Sequence, residues 1–196
     1  MTTFELASSR TWTEVKELVA HLENHGVIAD IANYTSTHRT RLIKPMVSYD
    51  TTAIALSFVP AAGEEVVQSA RGSTGDDGYT YHHLRRDICG ALTATGGQFN
   101  PRYSLPSAHI TIARFMSQDG FQLEGSQPDG PGVDRGSVAA LIKRIESINE
   151  RLKHKHSAEE TGTACWVVGQ EKGLQLQGGQ SWYGEGETLF MGKGFG

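Results

Sequence analysis

A short segment at positions 106–115, PSAHITIARF, combines an imidazole and a hydroxyl in what otherwise has the composition of a buried strand. His109 and Thr111 alternate with Ile110 and Ile112, and residues two apart in a strand lie on the same face. A neutral imidazole can accept a proton from water or a hydroxyl, and an imidazolium can donate one to a leaving oxygen. A lone histidine is more commonly a packed residue bonded to a backbone carbonyl. The threonine favours the other interpretation, which is proton transfer beside a bound anion such as phosphate.

The composition is that of a folded globular chain. It has 196 residues, 38% of them apolar, which is enough to form a core in one domain or in two small lobes. The formal charge is −4 and basic residues are dispersed, so duplex DNA and membrane surfaces are not expected as partners. We find no signal peptide and no apolar run of about 18 residues, and we therefore expect a cytoplasmic or nuclear protein.

The two cysteines, Cys89 and Cys165, have neither a CxxC motif nor the spacing of a zinc site. We predict that both are reduced, buried thiols, and we expect no metal site.

The hydrophobic periodicity predicts an α+β order of strand, helix, two strands, helix, strand, helix and three strands. The polar stretch 117–136 is predicted to be a flexible surface loop. The first predicted helix has Thr11 or Thr13 as its cap and ends at Gly26. The predicted strands are MTTFELA, RLIKPMVSYD, AIALSFVP, AHITIARF, ACWVVGQ, GLQLQGG and ETLFMGKGF. The other helices are YTYHHLRRDICGALTATGG, with Leu84, Ile88 and Leu92 on its inner face, and the segment from Val138 to Leu152.

SAHITIARF resembles the second His-x-Thr motif of the two-histidine (2H) phosphoesterase superfamily. Further blocks, in the same order over nearly the whole chain, are similar to its fungal RNA ligase/cyclic nucleotide phosphodiesterase-like branch: AIALSFVPAAGE, YTYHHLRRD, LPSAHITIARF and WVVGQEKGLQLQGGQSWYGEGE. The resemblance implies a single domain over residues 1–196, with two lobes whose mainly antiparallel sheets flank a cleft and whose helices lie outside. It also implies cleavage of 2′,3′-cyclic or related phosphodiesters without metal or cofactor. In that scheme His109 is one acid/base and Thr111 binds a phosphate oxygen.

The first motif of these relatives resembles His-x-Thr-Thr, an apolar residue and Glu, followed by a Ser-Arg-Thr-like segment. The chain begins MTTFEL and continues to Ser9-Arg10-Thr11, so Met1 corresponds to x and Thr2 to the phosphate-binding threonine. The motif histidine would then precede Met1. We therefore interpret the chain as N-terminally truncated, with an incomplete first lobe. Losing one proton-transfer group would lower the rate by about 10²- to 10⁴-fold, so we expect impaired turnover.

Four other residues are weaker candidates for the cleft: His38, His83, Arg86 and Tyr183. His38 has the His-x-Thr spacing but lies in a polar stretch typical of an exposed loop. A guanidinium from Arg85 or Arg86 matches phosphate oxygens, although a solvated helix face explains them equally well. At most one of the adjacent histidines 82 and 83 can face a cleft, and Tyr183 either stacks on a base or packs internally. Arg114 is expected on the strand face opposite His109 and outside the site.

Two further functions remain open on the sequence. A non-catalytic protein could use the same motif to grip a nucleotide or an RNA-end phosphate. An RNA ligase is suggested only by the family's customary label, because the chain has no Lys-x-Asp-Gly motif. In all cases the expected partner is a small nucleotide or an RNA end.

Overall fold

The computed structural model describes residues 1–62, 77–99, 107–123, 132–158, 165–179 and 186–196. These residues form an α+β structure with antiparallel sheets, which confirms the predicted class. The α-helices are α1 (Trp12–Asn24), α2 (Val27–Asn33), α3 (Tyr81–Ala94) and α4 (Arg135–Ala158). The strands are β1 (Arg41–Tyr49), β2 (Ala53–Pro60), β3 (Ala108–Arg114), β4 (Trp166–Val167), β5 (Lys172–Gly178) and β6 (Glu187–Lys193). None of the described helices is both long and apolar enough to cross a membrane.

Two antiparallel sheets organise the strands. The larger has the order β3-β2-β1-β4, and the smaller pairs β5 with β6. Within the described residues β3 is therefore an edge strand. The pairing of β1 with β2 shifts register between Ile43 and Met46, where Lys44 has a positive φ of 52°.

Helix α3 forms the core with the face of the larger sheet that carries Phe58 and Ala108. The predicted inner residues Leu84, Ile88 and Leu92 are all buried. Because Leu84 is completely covered, its truncation to Ala is expected to cost about 2–5 kcal/mol. The hydrophobic stripe of α3 was thus correctly predicted from the sequence. It covers the face of the larger sheet that carries Ala108.

Helix α1 has Thr11 as its N-cap, one of the two threonines that the sequence predicted for this position. The Thr11 hydroxyl accepts a hydrogen bond from the backbone N–H of Glu14 at 3.3 Å, and the Glu14 carboxylate accepts one from the N–H of Thr11 at 2.7 Å. This reciprocal capping box satisfies two N–H groups at the helix start. Gly26 then takes a left-handed φ of 66° and redirects the chain into α2, a helix that the sequence analysis missed.

Helix α2 packs closely on the β5–β6 hairpin because two glycines face it. A Cβ on either Gly173 or Gly192 would collide with the carbonyl oxygen of Ala32. The backbone N–H of Lys193 also donates to the Asn33 side chain at 2.7 Å. The absence of side chains at these two positions therefore lets the helix and the hairpin meet backbone to backbone.

Helix α4 covers part of the edge of β1. The side chain of Asn149 accepts a hydrogen bond from the N–H of Val47 at 2.7 Å and donates one to its carbonyl oxygen at 3.0 Å. A single amide thus bonds both backbone groups of Val47, at a point on β1 beyond the short β4 strand.

Three sequence predictions are corrected by the structure. Residues 1–7 form no strand, because the carbonyls of Thr2 and Thr3 accept hydrogen bonds from side chains of α3 instead of a neighbouring strand. Cys89 is exposed, since it lies one position past the buried Ile88 on α3, and Cys165 is half-buried. The predicted loop 117–136 contains a 3₁₀ turn, Asp119–Phe121, and its last two residues begin α4; positions 124–131 lie outside the described residues.

Candidate functional site

The exposed face of the larger sheet carries the His-x-Thr pair. On β3, His109 pairs with Ser57 and Thr111 pairs with Ala55, so all four side chains share one face. Ala108 pairs with Phe58 and points into the core on the other side. Thr111 itself is exposed because β3 lies at the edge of the described sheet, so the expectation of a buried strand was wrong.

A β-bulge in β3 changes the position of Arg114. The pair Thr111–Ala55 is followed by Ala113–Ile54, which leaves Ile112 without a partner on β2. One extra residue reverses the alternation of all that follow. Arg114 pairs with Ala53 and therefore shares the face of His109, and its charge acts on that imidazole. The prediction that Arg114 lies on the opposite face was wrong.

This face borders a cleft of about 2200 Å³. The other walls come from α1, α2, β5 and the first seven residues, and include Val15, Leu18 and Ile28. Small-molecule sites commonly have volumes of about 300–1,000 Å³, so the cleft exceeds what a mononucleotide would fill. His109, Thr111 and Arg114 all line it.

The imidazole of His109 is held in its neutral form. Partial burial lowers its pKa below the usual 6.5, and the positive charges of Arg85, of the Met1 amino group and of Arg114 lower it further. The Ser107 hydroxyl lies 3.2 Å from the Nδ1 atom. At neutral pH the group is therefore a proton acceptor, which is the form that a general base requires.

Arg85 positions the segments around His109. Its guanidinium donates to the carbonyls of Thr3 at 2.8 Å, Thr2 at 3.2 Å and Ser107 at 3.2 Å, and it stacks on the Tyr81 ring at 4.5 Å. The Tyr81 hydroxyl donates to the Thr2 carbonyl at 3.2 Å. Arg85 thus ties the N-terminal segment to the start of β3. The sequence suggested that Arg85 or Arg86 binds phosphate, but it did not predict that Arg85 bonds these backbone carbonyls.

Beside His109, on the same face of the sheet, lies a pair of serine hydroxyls that the sequence did not reveal. Ser57 neighbours His109 across the sheet, and its Oγ lies 2.6 Å from the Oγ of Ser48. Both serines are half-buried and line the cleft. Only the strand register brings Ser48 to this face, because it pairs with Ala55.

Thr2 also lines the cleft, and its side chain is exposed there. Three other candidates do not line it. His83 accepts a hydrogen bond from the N–H of Thr80 at 3.0 Å and caps α3. Arg86 pairs with Asp87 at 2.8 Å, and His38 stacks on the Tyr34 ring with centroids 4.0 Å apart. Tyr183 lies outside the described residues.

No family model, no curated protein and no solved structure matches this chain. Among the described residues, no group of three or more His, Cys, Asp or Glu side chains is placed to hold a metal ion.

Proposed function

We propose that this chain is a phosphoesterase of the 2H type, acting on a 2′,3′-cyclic phosphate or a related nucleotide or RNA-end phosphodiester. The observation that carries the proposal is the shared face of His109, Thr111 and Arg114 in one cleft. A base, a hydroxyl donor and a guanidinium side by side form a set that can bind a phosphate and move a proton next to it. We further propose that the larger sheet and the unit of α1, α2 and the β5–β6 hairpin are the two lobes.

The neutral imidazole of His109 supplies the base. Water loses a proton to it as the water oxygen forms a bond to phosphorus, and the bond from phosphorus to one ribose oxygen breaks. That oxygen leaves with the electron pair and takes a proton from a general acid. Thr111 and Arg114 donate hydrogen bonds to the non-bridging oxygens, whose charge grows in the transition state. In this scheme the phosphate's own negative charge offsets the cations around His109.

The scheme requires a general acid, and in the 2H motif this is a histidine directly before the position to which Met1 corresponds. The amino group of Met1 is close enough to lower the pKa of His109. Met1 and Thr2 both line the cleft. The amino end of the chain therefore lies at the cleft and near His109, where an added histidine can be tested as the general acid.

A second function, nucleotide or RNA-end binding without catalysis, is favoured by one observation. Among the described residues that line the cleft, His109 is the single histidine. One imidazole with Thr111 and Arg114 is sufficient to bind a phosphate. Hydrolysis as proposed requires a second proton-transfer group.

The two functions are separated by extending the chain. One form carries Ala-His before Met1, and the matched control carries Ala-Ala. If the chain is an enzyme, the histidine form hydrolyses 2′,3′-cyclic AMP about 10²- to 10⁴-fold faster than the control, and His109→Ala removes that gain.

Equal rates in the two extended forms would refute the catalytic assignment. Binding of adenosine 2′-monophosphate that is nonetheless weakened by Thr111→Ala would then support the binding function. Binding that is insensitive to Thr111→Ala would refute both functions.

A further inference from the structure

Strand β2 forms a shallow trough beside the row of His109, Thr111 and Arg114 on β3. Towards the cleft, the first five residues of β2 present only the small residues Ala53, Ala55 and Ser57, because Ile54 and Leu56 alternate to the other face. All three line the cleft. Val59 shares the face of Ser57 but does not line the cleft. One side of this trough is formed by His109, Thr111 and Arg114, the β3 side chains that we propose bind the phosphate.

The far side of the trough is formed by two β1 side chains, Met46, which pairs with Ser57, and Ser48. Ser48 pairs with Ala55 across β1 and β2, and its hydroxyl contacts that of Ser57 at 2.6 Å. Ser48 Oγ also lies 3.5 Å from the Ala55 carbonyl oxygen. If Ser57 donates to Ser48, its oxygen retains lone pairs for a ligand hydroxyl; if Ser48 donates, Ser57 retains its proton for a ligand oxygen. In both arrangements Ser57 keeps hydrogen-bonding capacity.

We propose that this trough is a ribose subsite. Ser57 recognises the ribose hydroxyl that hydrolysis frees next to the phosphate, or that a linear RNA-end phosphodiester already carries there, and Ser48 orients Ser57. The inference rests on the proposed function, because it takes the phosphate position from His109, Thr111 and Arg114. Neighbouring strands lie about 4.8 Å apart, so a sugar attached to a phosphate over β3 lies over β2. The ligand of this subsite is therefore the ribonucleoside monophosphate product or an RNA end, and the matching deoxyribonucleotide is disfavoured.

The test compares two ligands that differ in a single hydroxyl. Adenosine 3′-monophosphate and 2′-deoxyadenosine 3′-monophosphate are titrated into the full chain by calorimetry, with inorganic phosphate as a third ligand. One neutral hydrogen bond corresponds to about a 3- to 10-fold difference in Kd. We expect the unmodified chain to prefer the ribonucleotide by that factor.

Ser57→Ala is expected to abolish the preference by weakening the ribonucleotide alone, with inorganic phosphate unchanged. Ser57→Thr keeps a hydroxyl and suits a strand, so it should restore the preference. Ser36→Ala is the matched control, since Ser36 is exposed and does not line the cleft. It should behave like the unmodified chain.

Equal affinity of the unmodified chain for the two nucleotides would overturn the ribose subsite. So would a Ser57→Ala effect that is equal for all three ligands, because the serine would then only support His109. The proposed function fails separately, if Thr111→Ala and Arg114→Ala leave the affinity for inorganic phosphate unchanged.

Discussion

The amide of Asn149 gives a stability prediction whose size follows from two hydrogen bonds. Asn149→Ala removes the acceptor for the Val47 N–H at 2.7 Å and the donor to the Val47 carbonyl at 3.0 Å. A buried backbone group left without a partner costs about 1–3 kcal/mol. Both bonds are only part-buried, so water can replace part of each. The expected loss is therefore about 1–3 kcal/mol in total rather than the full sum.

The assay is urea unfolding followed by tryptophan fluorescence, with native-state exchange of the Val47 amide as a local readout. Glu150→Ala is the matched control, because Glu150 is the next residue on α4 and its side chain is 64% exposed. We expect the control to change the free energy of unfolding by less than about 0.5 kcal/mol. If Asn149→Ala behaves like Glu150→Ala and exchange at Val47 does not accelerate, the amide does not stabilise the edge of β1 and the reasoning is wrong.

Three further predictions concern the site and the packing of α2. Arg114→Ala should weaken binding of adenosine 2′-monophosphate by about 10- to 100-fold, the worth of a charge-assisted hydrogen bond, whereas Arg86→Ala should not; equal effects in calorimetry would contradict the assignment. Because the pKa of His109 is lowered, its NMR titration should have a midpoint below 6.5, and the stability gained from the neutral imidazole should be complete above pH 6.5 and lost as the pH falls through the lowered pKa. A midpoint at or above 6.5 would be inconsistent with this burial. Gly192→Ala forces a Cβ against the Ala32 carbonyl and should lower the melting temperature by several degrees or more, about 1–3 kcal/mol; an unchanged melting temperature would show that the hairpin can shift.

Local patterns in the sequence predicted much of this fold. The apolar stripe of α3 and the capping threonine of α1 are properties of short segments, and both were correctly predicted. Helix α2 was missed because glycine usually ends a helix, and here Gly26 ends one helix and immediately precedes the next. This seven-residue helix has no side-chain cap and depends on glycines about 140 to 160 positions later in the chain, which no local pattern reveals.

The candidate site was less predictable, because the pairing register of β1, β2 and β3 decides which side chains face the cleft. His109 and Thr111 share a face in any regular strand, so their spacing alone was informative. Arg114 and Ser48 reach the same face only through the Ile112 bulge and the pairing of β1 with β2. A bulge is seen only when both paired strands are known. Single-strand alternation therefore placed Arg114 on the wrong side.

The Ile112 bulge also has a consequence for the behaviour of the protein at high concentration. Within the part of the chain that the structure describes, β3 is an edge strand, and its backbone groups with Ile110 and Ile112 offer a surface on which a strand of another molecule could align. The bulge interrupts that alignment within the strand, so a straight intermolecular ladder cannot extend along all of β3. Deleting Ile112 would preserve the other residue pairs between β2 and β3 while straightening the edge. Light scattering should then report aggregation at a lower protein concentration than for the unmodified chain. The irregularity that brings a guanidinium into the cleft would thus also protect the chain from self-assembly.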